Sequence, residues 1–289
     1  MKTIAVIGLG LMGGSVAKAL TKHGGYRIIG YDCDKNITQK AMADRVICSV
    51  WDGKTCLEAD ITLLCISPDA TENFLRNDVR LLKRNTILSD ICGIKRGIVR
   101  LGEEICKPLG IHFVGGHPMA GRERSGYAQS VENLFINRSY ILTKTENTDL
   151  TALEMLSLFA HDIGCSDITV TSPEEHDRMI AFTSQLPHVL AGAYIKSPQS
   201  DHHKGFSAGS YHDVSRVASV DENLWSQLFL RNKDNLISEI DTLIKNLEDY
   251  KMAIQNDDRP AVSEVVKQGR ILKERDIIIN GSEKPHRFG

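Results

Sequence analysis

The chain has 289 residues, 42% of them hydrophobic and 25% charged, with a formal charge of −2 at pH 7. This is the composition of a soluble globular protein of one or two domains, and the small net charge gives no reason to expect nucleic acid or a membrane surface as partner. No apolar run approaches a membrane span, and the N-terminus lacks a basic-then-apolar leader.

The seven cysteines (Cys33, Cys48, Cys56, Cys65, Cys92, Cys106 and Cys165) are odd in number, scattered and never spaced Cys-x-x-Cys. Neither a disulfide framework nor a zinc site is expected, and a reducing, cytoplasmic setting is. No histidine pair combines metal spacing with a carboxylate partner, so no metal is predicted.

Thr3 to Ile7 is a largely β-branched run, the mark of a parallel strand buried on both faces. Gly8-Leu9-Gly10-Leu11-Met12-Gly13-Gly14 follows at once, and Ser15 to Lys22 then has helical spacing. Strand, glycine turn and helix together are the context a dinucleotide fingerprint requires. Gly8 permits the turn, Gly10 lets the backbone approach a pyrophosphate, and Gly13 lets the helix pack on the strand. Leu11, Met12 and Gly13 open the helix, whose free N–H groups face the phosphates. The next strand, Tyr26 to Tyr31, ends in Asp32, where a ribose-binding carboxylate belongs. Its charge would repel a 2′-phosphate, so NAD is favoured over NADP.

Further strands are predicted at 60–66, 86–90 and 111–114, with helices at 37–43, 70–82 and 97–106 between them. Strands alternating with helices indicate a doubly wound parallel sheet. Ser67 after the third strand and Gly93 after the fourth share the carboxyl edge with the glycine loop. So does His117, in Gly115-Gly116-His117-Pro118-Met119-Ala120-Gly121. The glycines and proline predict a loop holding an imidazole at a strand end, beside the nicotinamide.

Strands at 139–142 and 167–170, flanking a helix over 149–163, complete the sheet. From residue 172 the pattern becomes helical: a run to about Lys196 with Pro187 inside it, a polar break at 197–210, and helices over 221–250 and 259–277. Pro187 should kink its helix and free carbonyls near His188. The expected organisation is α/β: a Rossmann-type nucleotide-binding domain over 1–171 and an all-helical substrate and dimerisation domain over 172–289. The long apolar helix faces suit a homodimer, and Trp225 is expected in the core.

Taken together, the segments GLGLMGGS, YDCD, SDICGIK, GGHPMAGRERSG, EEHDRMIAFTSQLPH and DVSRVASVDENLW resemble the prephenate dehydrogenase family, the prephenate and arogenate dehydrogenases of tyrosine biosynthesis. The resemblance covers nearly the whole chain. It implies NAD-dependent oxidative decarboxylation of prephenate to 4-hydroxyphenylpyruvate. His117 would take the proton of the ring 4-hydroxyl as hydride leaves C4 for NAD⁺. It further implies substrate contacts from His188, Arg216, Glu123 and Ser184, with Arg216 on a carboxylate. Gly93 stands where the family commonly has a serine, Arg122 where a threonine is usual, and Gln185 where many members have histidine.

The enzymatic alternative is arogenate, giving tyrosine directly. A β-hydroxyacid dehydrogenase would need a catalytic lysine in the helical half, and the helix over 174–195 has none before Lys196. A non-catalytic NAD-binding sensor is the alternative of another class, and Gly93 is the feature that fits it.

Overall fold

A computed structural model describes residues 1–52, 54–122 and 124–281. The chain falls into two compact units, Met1–Leu236 and Ile237–Gly289.

The first unit is built on an eight-stranded sheet in the order β3-β2-β1-β4-β5-β6-β7-β8. The strands are β1 (Lys2–Ile7), β2 (Tyr26–Tyr31), β3 (Ser49–Val50), β4 (Ile61–Leu64), β5 (Ile87–Asp90), β6 (His112–Pro118), β7 (Ser139–Thr143) and β8 (Asp167–Thr171). All neighbours run parallel except β6 and β7. Helices α1 (Leu11–His23), α2 (Lys35–Ala43), α3 (Pro68–Asn77), α4 (Arg96–Leu109) and α5 (Leu150–Asp162) lie between the strands. Val16 and Leu20 of α1 share one apolar cluster with Leu156 and Phe159 of α5. Phe74 and Leu75 of α3 share another with Ile98 and Val99 of α4. Two clusters, each carrying helices against the same strands, are the two faces of a doubly wound sheet. Each fully buried leucine or isoleucine contributes about 1.5–3 kcal/mol to holding them.

Local chemistry sets the helix starts. Asp34, Ser67 and Asp149 cap α2, α3 and α5 by accepting the N–H of Asn36, Ala70 and Ala152. Gly110, with φ +67°, ends α4 in the left-handed conformation.

Three expectations change. The stretch around His117 is a strand rather than a loop. β6 continues past Val114, pairing with β5 up to Gly115 and then antiparallel with β7 from Gly116 to Pro118. Its glycines serve close packing: a Cβ on Gly115 would sit 2.5 Å from Thr143 Oγ1, and one on Gly116 2.7 Å from the Tyr140 hydroxyl. The short strand β3 was not foreseen, since two residues carry no periodicity. The helix expected over 221–250 is two helices, α9 (Glu222–Arg231) and α10 (Lys233–Gln255). They part at Asn232, which is fully buried and donates from Nδ2 to the Asp177 carbonyl and to Gln185 Oε1, both at 2.8 Å.

The helical run after β8 is also interrupted. α6 (Pro173–Ile180) passes through one π-helical turn, Ala181–Gln185, into α7 (Leu186–Tyr194). The wide turn lies just ahead of Pro187, whose ring nitrogen has no hydrogen to donate. The short helix α8 (Gly209–Ser215) and a 3-10 turn at Arg216–Ala218 follow the polar break.

The second unit holds most of α10 and the helix α11 (Arg259–Asn280), which Asp258 caps by accepting the Ala261 N–H at 3.0 Å. Both helices leave large apolar side chains exposed, among them Ile244, Leu247, Met252, Val266, Leu272 and Ile278.

Candidate active site

β1 delivers the chain into Gly8, whose φ of +91° suits glycine and whose N–H donates to the Tyr31 carbonyl at 2.7 Å. A Cβ on Gly13 would lie 1.9 Å from the Gly8 carbonyl oxygen, so the close approach of turn and helix depends on glycine there. Gly10 begins α1 without a side-chain cap, and the Gly14 N–H is the one that reaches back to the Gly10 carbonyl. The amides of Leu11, Met12 and Gly13 therefore have no partner along the helix, and they carry its positive dipole end. A pyrophosphate fits that cradle. Asp32, at the end of β2, accepts the Leu9 N–H at 2.9 Å and the Asp34 N–H at 3.0 Å, which holds its carboxylate beside the turn. Ser67 spends its hydroxyl on capping α3, at 3.4 Å from the Ala70 N–H, so its place at the cofactor edge comes with a hydrogen bond already made.

His117 stands near the end of β6, on the carboxyl edge that β1 shares. Its Nδ1 lies 2.9 Å from His176 Nε2. His176 Nδ1 in turn lies 2.8 Å from Asp177 Oδ1. His176 and Asp177 are buried to 2% and 1% exposure, whereas His117 keeps part of its surface open. Asp177 also accepts the backbone N–H of Lys95 at 2.6 Å and of Arg96 at 2.9 Å, and Arg96 Nε stands 3.5 Å away. Beneath these groups Lys95 Nζ pairs with Asp90 Oδ2, both side chains fully buried, and the same oxygen accepts the Cys92 N–H at 2.9 Å. Burial, then His176, then Lys95 hold the His117 pKa well below the usual histidine value. Burial is also the main reason that His176 is lowered, with Asp177 opposing it. Both rings are therefore neutral near pH 7.

A Cβ on Gly93 would meet Leu228 at 3.5 Å and His117 Cε1 at 3.9 Å, ordinary contacts, and its φ is not positive. The backbone there does not require glycine, and a Cβ would lie beside Leu228 and the His117 ring.

His188 follows the π turn and Pro187, and its Nδ1 donates to the Ser184 carbonyl at 2.8 Å. Ser184 lies three positions before Pro187, whereas the N–H that the proline lacks would have met the carbonyl of residue 183. The imidazole stacks on Trp225, centroids 3.8 Å apart and 29° from parallel. Trp225 thus belongs to the site as well as packing against the core. Burial lowers the His188 pKa, and the charge of Arg216 lowers it further, which sets the guanidinium in the same neighbourhood. The Ser184 side chain is half-buried, and it is its carbonyl that makes the contact. Glu123 lies outside the described residues.

Sequence reasoning missed His176, Asp177 and Lys95 as neighbours of His117. The only available signal was a His-Asp pair in the first turns after Pro173, and nothing in the spacing ties it to a residue some sixty positions earlier. Gln185 was marked as a departure, yet its role is structural: its Nε2 donates to the Leu228 carbonyl at 3.1 Å, while its Oε1 accepts from Asn232.

Comparison with known proteins addresses both halves of the chain. Residues 16–168 match the nucleotide-binding domain of prephenate dehydrogenase, and residues 172–268 match its dimerization domain. The chain belongs to the prephenate dehydrogenase family. It is 31% identical to prephenate dehydrogenase of Bacillus subtilis (strain 168) over 273 residues, covering 89% of this chain and 71% of that one. It is 30% identical to cyclohexadienyl dehydrogenase of Zymomonas mobilis, covering 93% and 94%. The structure of prephenate dehydrogenase from Aquifex aeolicus in complex with hydroxyphenyl propionate and NAD⁺ superposes with a TM-score of 0.85 at 29% identity, over 95% of this chain and 98% of that one. As a member of the prephenate dehydrogenase family the chain is an NAD-dependent oxidoreductase with a Rossmann-type nucleotide-binding half, and the glycine turn, α1 amides and Asp32 have the chemistry to hold that cofactor.

Proposed function

We propose that the protein converts prephenate to 4-hydroxyphenylpyruvate and CO₂ with reduction of NAD⁺, with His117 as the base. The observation that carries this reading is a neutral imidazole on the carboxyl edge of the sheet that also carries the nucleotide cradle. Gly8, Gly10, Leu11, Met12, Gly13 and Asp32 would hold NAD, with Ser67 and Gly93 along its edge. Bound NAD⁺ supplies the hydride acceptor. His117 takes the proton of the ring 4-hydroxyl, so the carbonyl that develops at C4 needs no charged intermediate in an apolar pocket. Loss of the C1 carboxylate as CO₂ then leaves its electron pair in the ring, which becomes aromatic as the C4 oxygen takes back the proton held by His117. Arg216 offers a planar fork to a substrate carboxylate. His188, its Nδ1 committed to Ser184, has Nε2 left for the side chain of the substrate. Glu123 remains a further candidate for the substrate on the strength of the family resemblance alone. Gly93 is the feature that fits the sensor alternative, and His117, His188 and Arg216 together argue against it.

A second reading has one observation on its side. A neutral His188 whose Nδ1 carries the hydrogen presents an acceptor at Nε2, which suits the ammonium of arogenate. The rate of NADH formation with prephenate and with arogenate, each with NAD⁺ and NADP⁺, tests both. We expect turnover with prephenate and NAD⁺; no turnover with either substrate would overturn the assignment.

In this reading residues 1–171 form the cofactor domain and residues 172–289 the substrate and dimerisation domain. The exposed apolar residues of α10 and α11 and the match to a dimerization domain support a homodimer, which light scattering on the purified chain would test. Seven free cysteines suit the cytoplasm, and no helix among the described residues is long and apolar enough to cross a membrane.

A further inference from the structure

Two hydrogen bonds in series lead away from His117, and with both rings neutral only one arrangement of protons satisfies both. Asp177 is surrounded by donors: the amides of Lys95 and Arg96 at 2.6 and 2.9 Å, and the Arg96 Nε at 3.5 Å. Its carboxylate therefore acts as an acceptor toward His176, 2.8 Å away, and the hydrogen of that contact must sit on His176 Nδ1. A neutral His176 then has a bare lone pair at Nε2. That atom faces His117 Nδ1 at 2.9 Å, so the second contact forms only if His117 Nδ1 carries its hydrogen. The lone pair of a neutral His117 is left at Nε2, on the side of the ring away from His176.

We propose that His176 and Asp177 are positioning residues that fix the tautomer of His117, so that Nε2 is the atom offered to the substrate hydroxyl. The assignment rests on His117 being the base of the proposed reaction. The other tautomer would place two lone pairs, or two N–H groups, against each other across 2.9 Å in a buried site. The charged groups facing this pair are Asp177 on α6, Lys95 and Arg96 at the start of α4, and Asp90 at the end of β5. Burial first, and the charge of Lys95 after it, oppose a positive charge on either ring, which keeps the pair neutral and the tautomer meaningful. The arrangement does with a histidine and a carboxylate what a buried carboxylate alone does in a Ser-His-Asp triad: it orients an imidazole without accepting the substrate's proton.

The test uses the full chain labelled with ¹⁵N-histidine, with the His117 signals assigned by their loss in His117→Asn. Nitrogen shifts separate a protonated ring nitrogen from a bare one, and we expect protonated Nδ1 and bare Nε2 without any substrate present. In parallel, His176→Leu removes the acceptor and His176→Gln restores an oxygen near the former Nε2. We expect His176→Leu to lower kcat by roughly 10²-fold, to leave the KM for substrate and the Kd for NAD⁺ within about threefold, and to mix the His117 tautomers. His176→Gln should recover most of the lost kcat and the single tautomer. A bare Nδ1 on His117 in the unmodified chain would overturn the proposal, as would a folded His176→Leu with unchanged kcat. If His176→Leu does not fold, the nitrogen shifts of the unmodified chain still decide. If the unmodified chain turns over neither prephenate nor arogenate, it is the reaction assignment that fails, and the tautomer stands or falls on its own spectrum.

Discussion

The cofactor cradle and the His117 site meet at one sheet edge but are built in opposite ways. The cradle is backbone: Gly8, Gly10 and Gly13 lie within six positions, their turn and the α1 amides would meet the phosphates, and glycine is required at Gly13, where a Cβ would lie 1.9 Å from the Gly8 carbonyl oxygen. The His117 site is side chain: groups from β5, the start of α4, β6 and α6 converge, and their hydrogen bonds span 59 and 82 positions. At Gly13 the backbone site leaves no room for an added atom, whereas the side-chain site depends on groups brought together from four elements.

Substitutions should separate the two. His117→Asn should cost roughly 10²–10⁴ in kcat, the range of a lost general base, with NAD⁺ affinity unchanged by calorimetry. An equal loss of NAD⁺ binding would mean that the two regions are one. Gly13→Ala should do the reverse: overpacking of about 1–3 kcal/mol at the turn, read as a lower melting temperature and a weaker Kd for NAD⁺. Arg216→Ala should raise the substrate KM by roughly 10–100-fold, as for a charge-assisted hydrogen bond worth about 1.5–3 kcal/mol, with a much smaller change in kcat.

Acidification acts on the side-chain region. His117, His176 and His188 all have lowered pKa values in the fold. The unfolded chain therefore takes up protons first as pH falls below about 6.5. The stability these rings confer is present above that pH and is lost progressively as pH falls toward their folded values. Chemical denaturation at pH 7.5 and 5.5 should show the difference, while the acid limb of kcat/KM should lie below the ordinary histidine range. Gly93→Ser is the mildest change. With ordinary contacts to Leu228 and His117 it should move stability by less than about 0.5 kcal/mol, and a turnover change of a few-fold would report a hydroxyl brought to the base.

The same contrast explains what could be read from the sequence. The cradle, the alternation of strands and helices and the helical second half are local patterns, and each was legible. His117 was legible as a histidine beside glycines, but the reason for those glycines was not. Gly115 and Gly116 make room for Thr143 and Tyr140, which are residues of another strand. The break at Asn232 was invisible for a related reason: a buried asparagine is worth a helix end only when Asp177 and Gln185 are there to receive it. Trp225 was read as core because an aromatic on a helix looks the same whether it faces leucines or an imidazole.

β6 changes its pairing from parallel to antiparallel between Gly115 and Gly116, and His117 is paired with Ile141 immediately beyond that seam. The backbone under the imidazole is thus stitched into the sheet, and its amide hydrogens should exchange on the timescale of the core rather than that of a surface loop. A base mounted this way has no ordering left to do when a substrate arrives. Slow steps of the cycle should therefore be sought in the helices that bring His188 and Arg216, and solvent-exchange protection along β6 should be the same with and without ligand.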